Sequence, residues 1–162
     1  MRKLIECVPN FSEGRDKGKI DSIVSKIESI DDITVLDVDS GIDTNRTVVT
    51  FVGEPDNVIK AAFEGIREAS NIIDMSKHKG THPRIGATDV CPIIPISGVT
   101  IEECVNYSKQ LAKIVGDELK IPVYLYENSS NNIDRSNLAV IREGEYEGLK
   151  EKLKDSFWKP DY

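Results

Sequence analysis

Segments with a helical repeat of apolar residues alternate with short β-branched segments along this chain, and this alternation constrains the fold more than any other feature. Residues 3–8, 34–39 and 47–52 are short and apolar or β-branched, which predicts strands. Isoleucine and valine recur every three or four positions over residues 16–30, which predicts an amphipathic helix. A second helical pattern follows the third strand, so the predicted order begins β-α-β-β-α.

The next apolar segment, residues 90–96, contains Pro92 and Pro95. Since proline has no backbone N–H to donate, this segment is predicted to be an edge strand or an interrupted one. Thr100 and Glu103 then have the spacing of a capping box, which predicts the start of a third helix.

The order βαββαβ, with a further helix and a strand at residues 123–126, is typical of an α/β (α+β) domain. We predict a ferredoxin-like two-layer sandwich, in which helices cover one face of a mixed sheet. Residues 1–162 are predicted to form one unit, because no repeat interrupts a length that buries an ordinary core. The aromatic residues within 156–162 are predicted to dock back on this unit, or to begin a connection to another.

Composition excludes several functions. The formal net charge of −7 disfavours nucleic acid or an acidic membrane as the main partner, since both would repel the chain. No apolar run approaches the roughly 18 residues of a membrane span, and Glu6 interrupts the N-terminal apolar stretch too early for a signal peptide. Cys7, Cys91 and Cys104 are far apart, which favours reduced thiols in a cytoplasm over a disulfide framework.

Both histidines lie in the stretch HKGTHPRIGATDV at residues 78–90. His78 and His82 have the spacing of two zinc ligands on a helix, but Gly80 and Pro83 disfavour a helix there, so we predict no metal. Pro83 instead holds His82 near extended geometry, which makes it a candidate general base. A loop histidine without a function is the commoner case, and this stretch alone leaves both interpretations open.

Two other stretches carry candidate residues. In VDSGIDTNRT at 38–47, Asp39 ends a strand and could orient a histidine, while Arg46 could pair with a carboxylate; alternatively, the segment is a solvated hairpin loop. In CVPNFSEGRD at 7–16, Asn10 precedes a helix, and this junction could present N–H groups to an anion or only cap the helix.

Taken together, CVPNFSEGRD, LDVDSGIDTNRTVVTFVG and HKGTHPRIGATDVCPIIPI resemble the formiminotransferase domain, and YEGLKEKL and FWKPDY extend the resemblance over the whole chain. It implies the N-terminal subdomain of that domain, an α/β unit of ferredoxin-like type. It also implies a second subdomain, in cis or in trans, and folate bound between the two halves. Without that partner, an exposed apolar face would favour a homo-oligomer.

The resemblance further implies glutamate formimidoyltransferase activity, the transfer of a formimino group from N-formimino-L-glutamate to tetrahydrofolate. Tetrahydrofolate is then a co-substrate, and no metal is needed. The catalytic histidine of the family corresponds to His82, and Asp39 would orient or stabilise its imidazole. Arg46 and Arg84 are candidates to hold substrate carboxylates, and the predicted substrate-binding set also includes Asn10 and Asn45. The alternative is a non-catalytic subdomain that binds folate or a small anion.

Overall fold

Six strands form one sheet in the computed structural model, which describes residues 2–162. The strands are β1 (Leu4–Cys7), β2 (Asn10–Phe11), β3 (Thr34–Gly41), β4 (Arg46–Gly53), β5 (Thr88–Val90) and β6 (Ile93–Ser97). The helices are α1 (Lys17–Glu28), α2 (Pro55–Ile72), α3 (Ile101–Ile114), α4 (Leu138–Arg142) and α5 (Glu145–Lys152). Within residues 2–162, no helix has the length and apolar character needed to cross a membrane.

Two prolines divide the sheet into short strands. β1 and β2 are separated at Pro9 and pair with the same long strand, β4. β5 and β6 are separated at Pro92 and pair with β2 and β1, respectively. The carbonyl oxygens of Pro9 and Pro92 still accept hydrogen bonds from neighbouring strands, so both breaks stay within the sheet. The predicted interruption of the segment at 90–96 is therefore confirmed.

The predicted mixed sheet is wrong, because every strand pair within residues 2–162 is antiparallel. β1 and β2 lead through α1 to β3, but neither of them pairs with β3. β4 lies between these two strands and β3 and runs opposite to all three, with β3 on one side and β1 and β2 on the other. The result is an α+β fold with an antiparallel sheet.

The predicted strand at residues 123–126 is also wrong. Val123 forms backbone hydrogen bonds with Asp161 and Tyr162 at the other end of the chain, and the Leu125 amide donates to the Asp161 carboxylate at 2.9 Å. This segment is extended, but its partner is the C-terminal residues instead of the sheet. The predicted docking of the aromatic residues at 156–162 is confirmed, with Trp158 packed edge-on against Tyr124.

The predicted hairpin and the starts of α1 and α3 are confirmed, whereas α2 begins at Pro55, after Glu54, without a side-chain cap. β3 and β4 are joined by a four-residue connection, and both strands extend further than their β-branched cores. Asp16 accepts a hydrogen bond from the Lys19 amide at the start of α1, and Thr100 and Glu103 form the capping box of α3.

The side chains of β4 alternate between the two faces of the sheet. Thr47, Val49 and Phe51 are buried, and the two apolar ones join a core with residues of α1 and α2. Arg46 and Val48 alternate with them and point to the opposite face. We call this second side the open face, because α1 and α2 pack against the first side.

Candidate functional site

Arg46 is held on the open face by two hydrogen bonds. It is the first residue of β4, next to the hairpin turn, and its side chain is 11% exposed. Its Nε donates to the Asn10 side chain at 2.9 Å, and its Nη1 donates to the Asp89 carboxylate at 2.6 Å. Within residues 2–162, Nη2 has no hydrogen-bond partner. A fixed guanidinium whose Nη2 keeps both of its N–H donors available in the described chain is suited to binding a carboxylate.

Asp89, in β5, is the anchor of Arg46. Its side chain is fully buried and accepts hydrogen bonds from Arg46, from the Ile85 amide and from Arg142 at the end of α4. A buried carboxylate is stable only when it is paired in this way. We refer to Asn10, Arg46, His82, Asp89 and Arg142 as the Arg46 cluster.

His82 lies against Arg46. Its Nδ1 is 2.7 Å from the carbonyl oxygen of Pro83 and 3.2 Å from Arg46 Nη1. The shorter contact is to an acceptor, which favours a proton on Nδ1. Nε2 then carries the lone pair and has no partner within residues 2–162, so it can accept a proton from a bound molecule.

His78, by contrast, is part of the structure of the loop. It is buried, with Nε2 2.8 Å from the Asn45 carbonyl oxygen and Nδ1 accepting from Arg84 Nε at 3.0 Å. Both ring nitrogens are therefore occupied within the protein, as a neutral imidazole with its proton on Nε2. Within residues 2–162, no three histidine, cysteine, aspartate or glutamate residues are arranged to hold a metal ion.

Arg84 is buried and saturated by protein partners. Its amino groups donate to Glu145 and Glu147 of α5 at 2.7–2.8 Å and to the His78 carbonyl oxygen at 3.1 Å. The hydrogen bond from Arg84 holds the pKa of Glu147 well below its usual range. The geometry thus makes Arg84 a tie between the histidine loop and α5.

Asn45 ties the three candidate stretches together. Its side chain accepts from the Gly14 amide at 2.9 Å and donates to the Lys79 carbonyl oxygen at 3.0 Å. Close backbone contacts require the glycines here: a Cβ on Gly14 would lie 2.3 Å from a hairpin oxygen, and one on Gly80 would lie 2.1 Å from the Thr44 oxygen. The stretches at 7–16, 38–47 and 78–90 therefore meet at one end of the sheet.

Asp39 lies apart from His82. It is exposed on β3, opposite Val48, which in turn is opposite Asn10. Two strand spacings, roughly 10 Å, therefore separate its backbone from that of Asn10. The structure shows no hydrogen bond between Asp39 and His82, whose Nδ1 contacts Pro83 and Arg46 instead.

Sequence reasoning missed Asp89 and Arg142. Asp89 belongs to the quoted histidine stretch, and an aspartate beside the apolar segment at 90–96 was a usable signal of a buried ion pair. Arg142 lies 53 positions from Asp89, in a segment without a distinctive pattern, so nothing local identified it.

A largely apolar cavity of about 720 Å³ lies behind β5, between α2, α3 and the segment at 121–129. Burial raises the pKa of the Tyr126 phenol, which lines it. Of the Arg46 cluster, only Asp89 also lines this cavity. The cavity is therefore a space behind the cluster and is separate from the open face.

Comparison with known proteins gives a consistent family. The model of the formiminotransferase domain, N-terminal subdomain, matches residues 4–162. The formimidoyltransferase-cyclodeaminase of Dictyostelium discoideum is 54% identical over 162 residues, which is all of this chain and 30% of that protein.

Two shorter relatives also match over nearly the whole chain. The glutamate formimidoyltransferase of Streptococcus pyogenes serotype M1 is 49% identical over the whole chain and 54% of its own length. That of Thermoplasma acidophilum is 48% identical over 98% of this chain and 53% of its own length. The chain thus spans about half the length of these two relatives and less than a third of the first.

Proposed function

Because the chain belongs to the formiminotransferase domain family, as its N-terminal subdomain, we propose that it is the catalytic half of a glutamate formimidoyltransferase. In this role it transfers the formimino group of N-formimino-L-glutamate to tetrahydrofolate, giving 5-formiminotetrahydrofolate and glutamate. The observation that carries the proposal is His82, which presents an Nε2 without a partner among residues 2–162, beside the fixed guanidinium of Arg46.

His82 moves the proton that the reaction requires. The N5 amine of tetrahydrofolate attacks the amidine carbon and forms a C–N bond, and it must lose a proton as it does so. His82 Nε2 takes this proton and delivers it to the glutamate nitrogen as the old C–N bond breaks. The imidazole is neutral again at the end, so no further acid or base is needed.

Arg46 holds a carboxylate of the formimino donor through Nη2, while Asn10 and Asp89 fix its direction. Asp39 adds negative charge on the same face and stabilises the transient imidazolium at longer range. Arg84 and Asn45 support the two loops from behind; Arg84 would hold substrate itself only if Glu145 and Glu147 released it.

The second half of the site is proposed to come from a second subdomain, in cis or in trans. This is supported by the length of the chain, which spans about half of each of the two glutamate formimidoyltransferases. We also propose that β1, α1, β3, β4, α2 and β6 form the ferredoxin-like unit, supported by the spatial order β6-β1-β4-β3 with antiparallel neighbours.

A transfer assay tests the function. The chain is incubated with tetrahydrofolate and N-formimino-L-glutamate, alone and with the second half of the Streptococcus pyogenes relative added in trans. We expect formation of 5-formiminotetrahydrofolate in the mixture and its loss when the chain carries His82→Ala. No transfer under either condition, with folate still bound, would favour the non-catalytic binding module.

A further inference from the structure

Two arginines from distant parts of the chain share one buried carboxylate. Arg46 begins β4, Arg142 ends α4, and both donate to Asp89 Oδ2. Asp89 has no exposed side-chain surface, and its Oδ1 is occupied by the Ile85 amide. Since the carboxylate cannot turn to solvent, its donors determine its position, and its position determines where Arg46 points.

The direction of Arg46 rests on this contact. Two of its three nitrogens are used by Asn10 and Asp89, so these two bonds aim the remaining Nη2. The same Nη1 that bonds Asp89 also lies 3.2 Å from His82 Nδ1. A shift of Asp89 would therefore move the guanidinium relative to the imidazole.

The charges of the three groups explain why a second arginine is present. A single Arg46–Asp89 pair would be neutral and would offer an anion little attraction. Two guanidiniums on one carboxylate leave one net positive charge, in side chains that are only 11% and 15% exposed. A positive group so shielded from water attracts a carboxylate more strongly than a surface arginine does.

We propose that Arg142 is a positioning residue for the formimino donor, acting through Asp89 on Arg46; this rests on the proposed function. Arg142 fixes the carboxylate that aims Arg46 and supplies the charge that Asp89 would otherwise cancel. Substitution of Arg142 should therefore weaken binding of the donor carboxylate more than it slows proton transfer by His82.

Kinetics of the chain assembled with a second subdomain test this role. Arg142→Met should raise KM for N-formimino-L-glutamate about ten- to hundredfold, the usual effect of a misplaced binding group, with a smaller change in kcat. Arg142→Lys keeps the charge but loses the forked donors, so its KM should fall between those of Arg142→Met and the unmodified chain.

Arg135→Met is the matched control. Arg135 is similarly buried and pairs with Asp161 at 3.1 Å, but it lies outside the Arg46 cluster. Its loss should lower thermal stability and leave KM nearly unchanged. An equal rise of KM in Arg135→Met and Arg142→Met, or no rise in Arg142→Met, overturns the proposal.

A second measurement on the chain alone separates this inference from the proposed function. The Arg46 Nε–H bond to Asn10 should protect that proton from exchange in NMR spectra. Arg142→Met should abolish the protection, whereas Arg135→Met should retain it. If no variant shows transfer but this pattern is observed, the proposed function fails, while the action of Arg142 on Arg46 through Asp89 stands. Unchanged protection in Arg142→Met overturns the positioning role, whatever the activity.

Discussion

Two histidines of the same loop differ in what surrounds each ring. His82 has one nitrogen at a backbone oxygen and the other without a partner in the described chain, whereas both nitrogens of His78 are occupied. The difference depends on Arg84 and Asn45, which contact His78 and not His82. The two side chains should therefore respond to substitution in opposite ways.

His82→Ala should lower kcat of the assembled enzyme by about 10²–10⁴-fold, because it removes the acid–base group, with a smaller effect on KM. Steady-state kinetics with both substrates measure this. Thr81→Ala is the control, since Thr81 is an exposed neighbour whose backbone contact to Asp43 would remain. Equal losses of kcat in the two variants would show that a disturbed loop conformation, and not the loss of the imidazole, was responsible.

His78→Ala should instead destabilise the fold by about 1–3 kcal/mol, because the Asn45 carbonyl oxygen and Arg84 Nε lose their partner in a buried place. Urea unfolding measures the free energy, and the folded fraction should keep its kcat. The exposed Lys77→Ala serves as control.

At the scale of elements, the histidine loop is held between the β3–β4 turn and α5. Gly80 lets it approach the turn, and Arg84 ties it to the two glutamates at the start of α5. Each of these contacts can be tested by one substitution at the contact and a matched control substitution away from it.

Gly80→Ala should destabilise the protein by about 1–3 kcal/mol, since its Cβ would lie 2.1 Å from a backbone oxygen of the turn. Gly148→Ala, within α5, would place its new Cβ more than 4 Å from any described atom outside the adjacent helix backbone, and it should stabilise by about 0.5–1 kcal/mol. Thermal unfolding of both variants compares the two sites. A Gly80→Ala protein as stable as the unmodified one would contradict the close contact.

Glu147→Gln tests the link to α5 through its pH dependence. Because Arg84 lowers the pKa of Glu147 in the folded state, this carboxylate stabilises the fold above its unfolded pKa, near 4.5. The unmodified chain should be the more stable one at pH 7, and its advantage should shrink as the pH falls below 4.5. Thermal unfolding from pH 7 to pH 3 measures this.

Glu151→Gln is the control for Glu147→Gln. Glu151 lies on the same helix and forms an exposed ion pair with Lys154, so little stability depends on it. A Glu147→Gln protein whose deficit stayed constant down to pH 3 would contradict the ion pair with Arg84.

For the whole molecule, the open face is the surface of greatest consequence. It carries the Arg46 cluster at one end and apolar side chains elsewhere, including Ile94, which lies in one row with Glu6 and Val52. Ile94 is 38% exposed. Such a face is suited to covering by another sheet or another copy of the chain.

The chain alone should therefore self-associate at high concentration, and Ile94→Lys should reduce this by replacing an exposed apolar side chain of the open face with a charged one. Light scattering over a concentration series measures the mass. Lys109→Glu, a charge change on α3, is the control and should leave association intact. A chain that stays strictly monomeric at every concentration would contradict self-association through the open face.

Features that depend on residues close together in the sequence could be predicted, whereas features that depend on residues far apart could not. The capping box of α3, the β3–β4 hairpin and the break at Pro92 depend on neighbours in sequence, and all were predictable. The antiparallel sheet depends on β4 inserting between β1 and β3, which no local pattern specifies. The same holds for the site: His82 stood out by its chemistry, but its surroundings depend on Arg142, far along the chain.

The long separation between Arg84 and its partners has a consequence for biosynthesis. Glu145 and Glu147 follow Arg84 by 61 and 63 residues, so at about 5–20 residues per second the ribosome completes the loop roughly 3–12 s before its ties exist. Once residue 97 has been added, every strand has been synthesised, but Asp89 still lacks Arg142 and Arg84 still lacks both carboxylates. The nascent chain can thus form its sheet before its site. A protease cut in the segment at 127–137 would disrupt the site before it disrupts the sheet, because Arg142 and the two glutamates follow that segment.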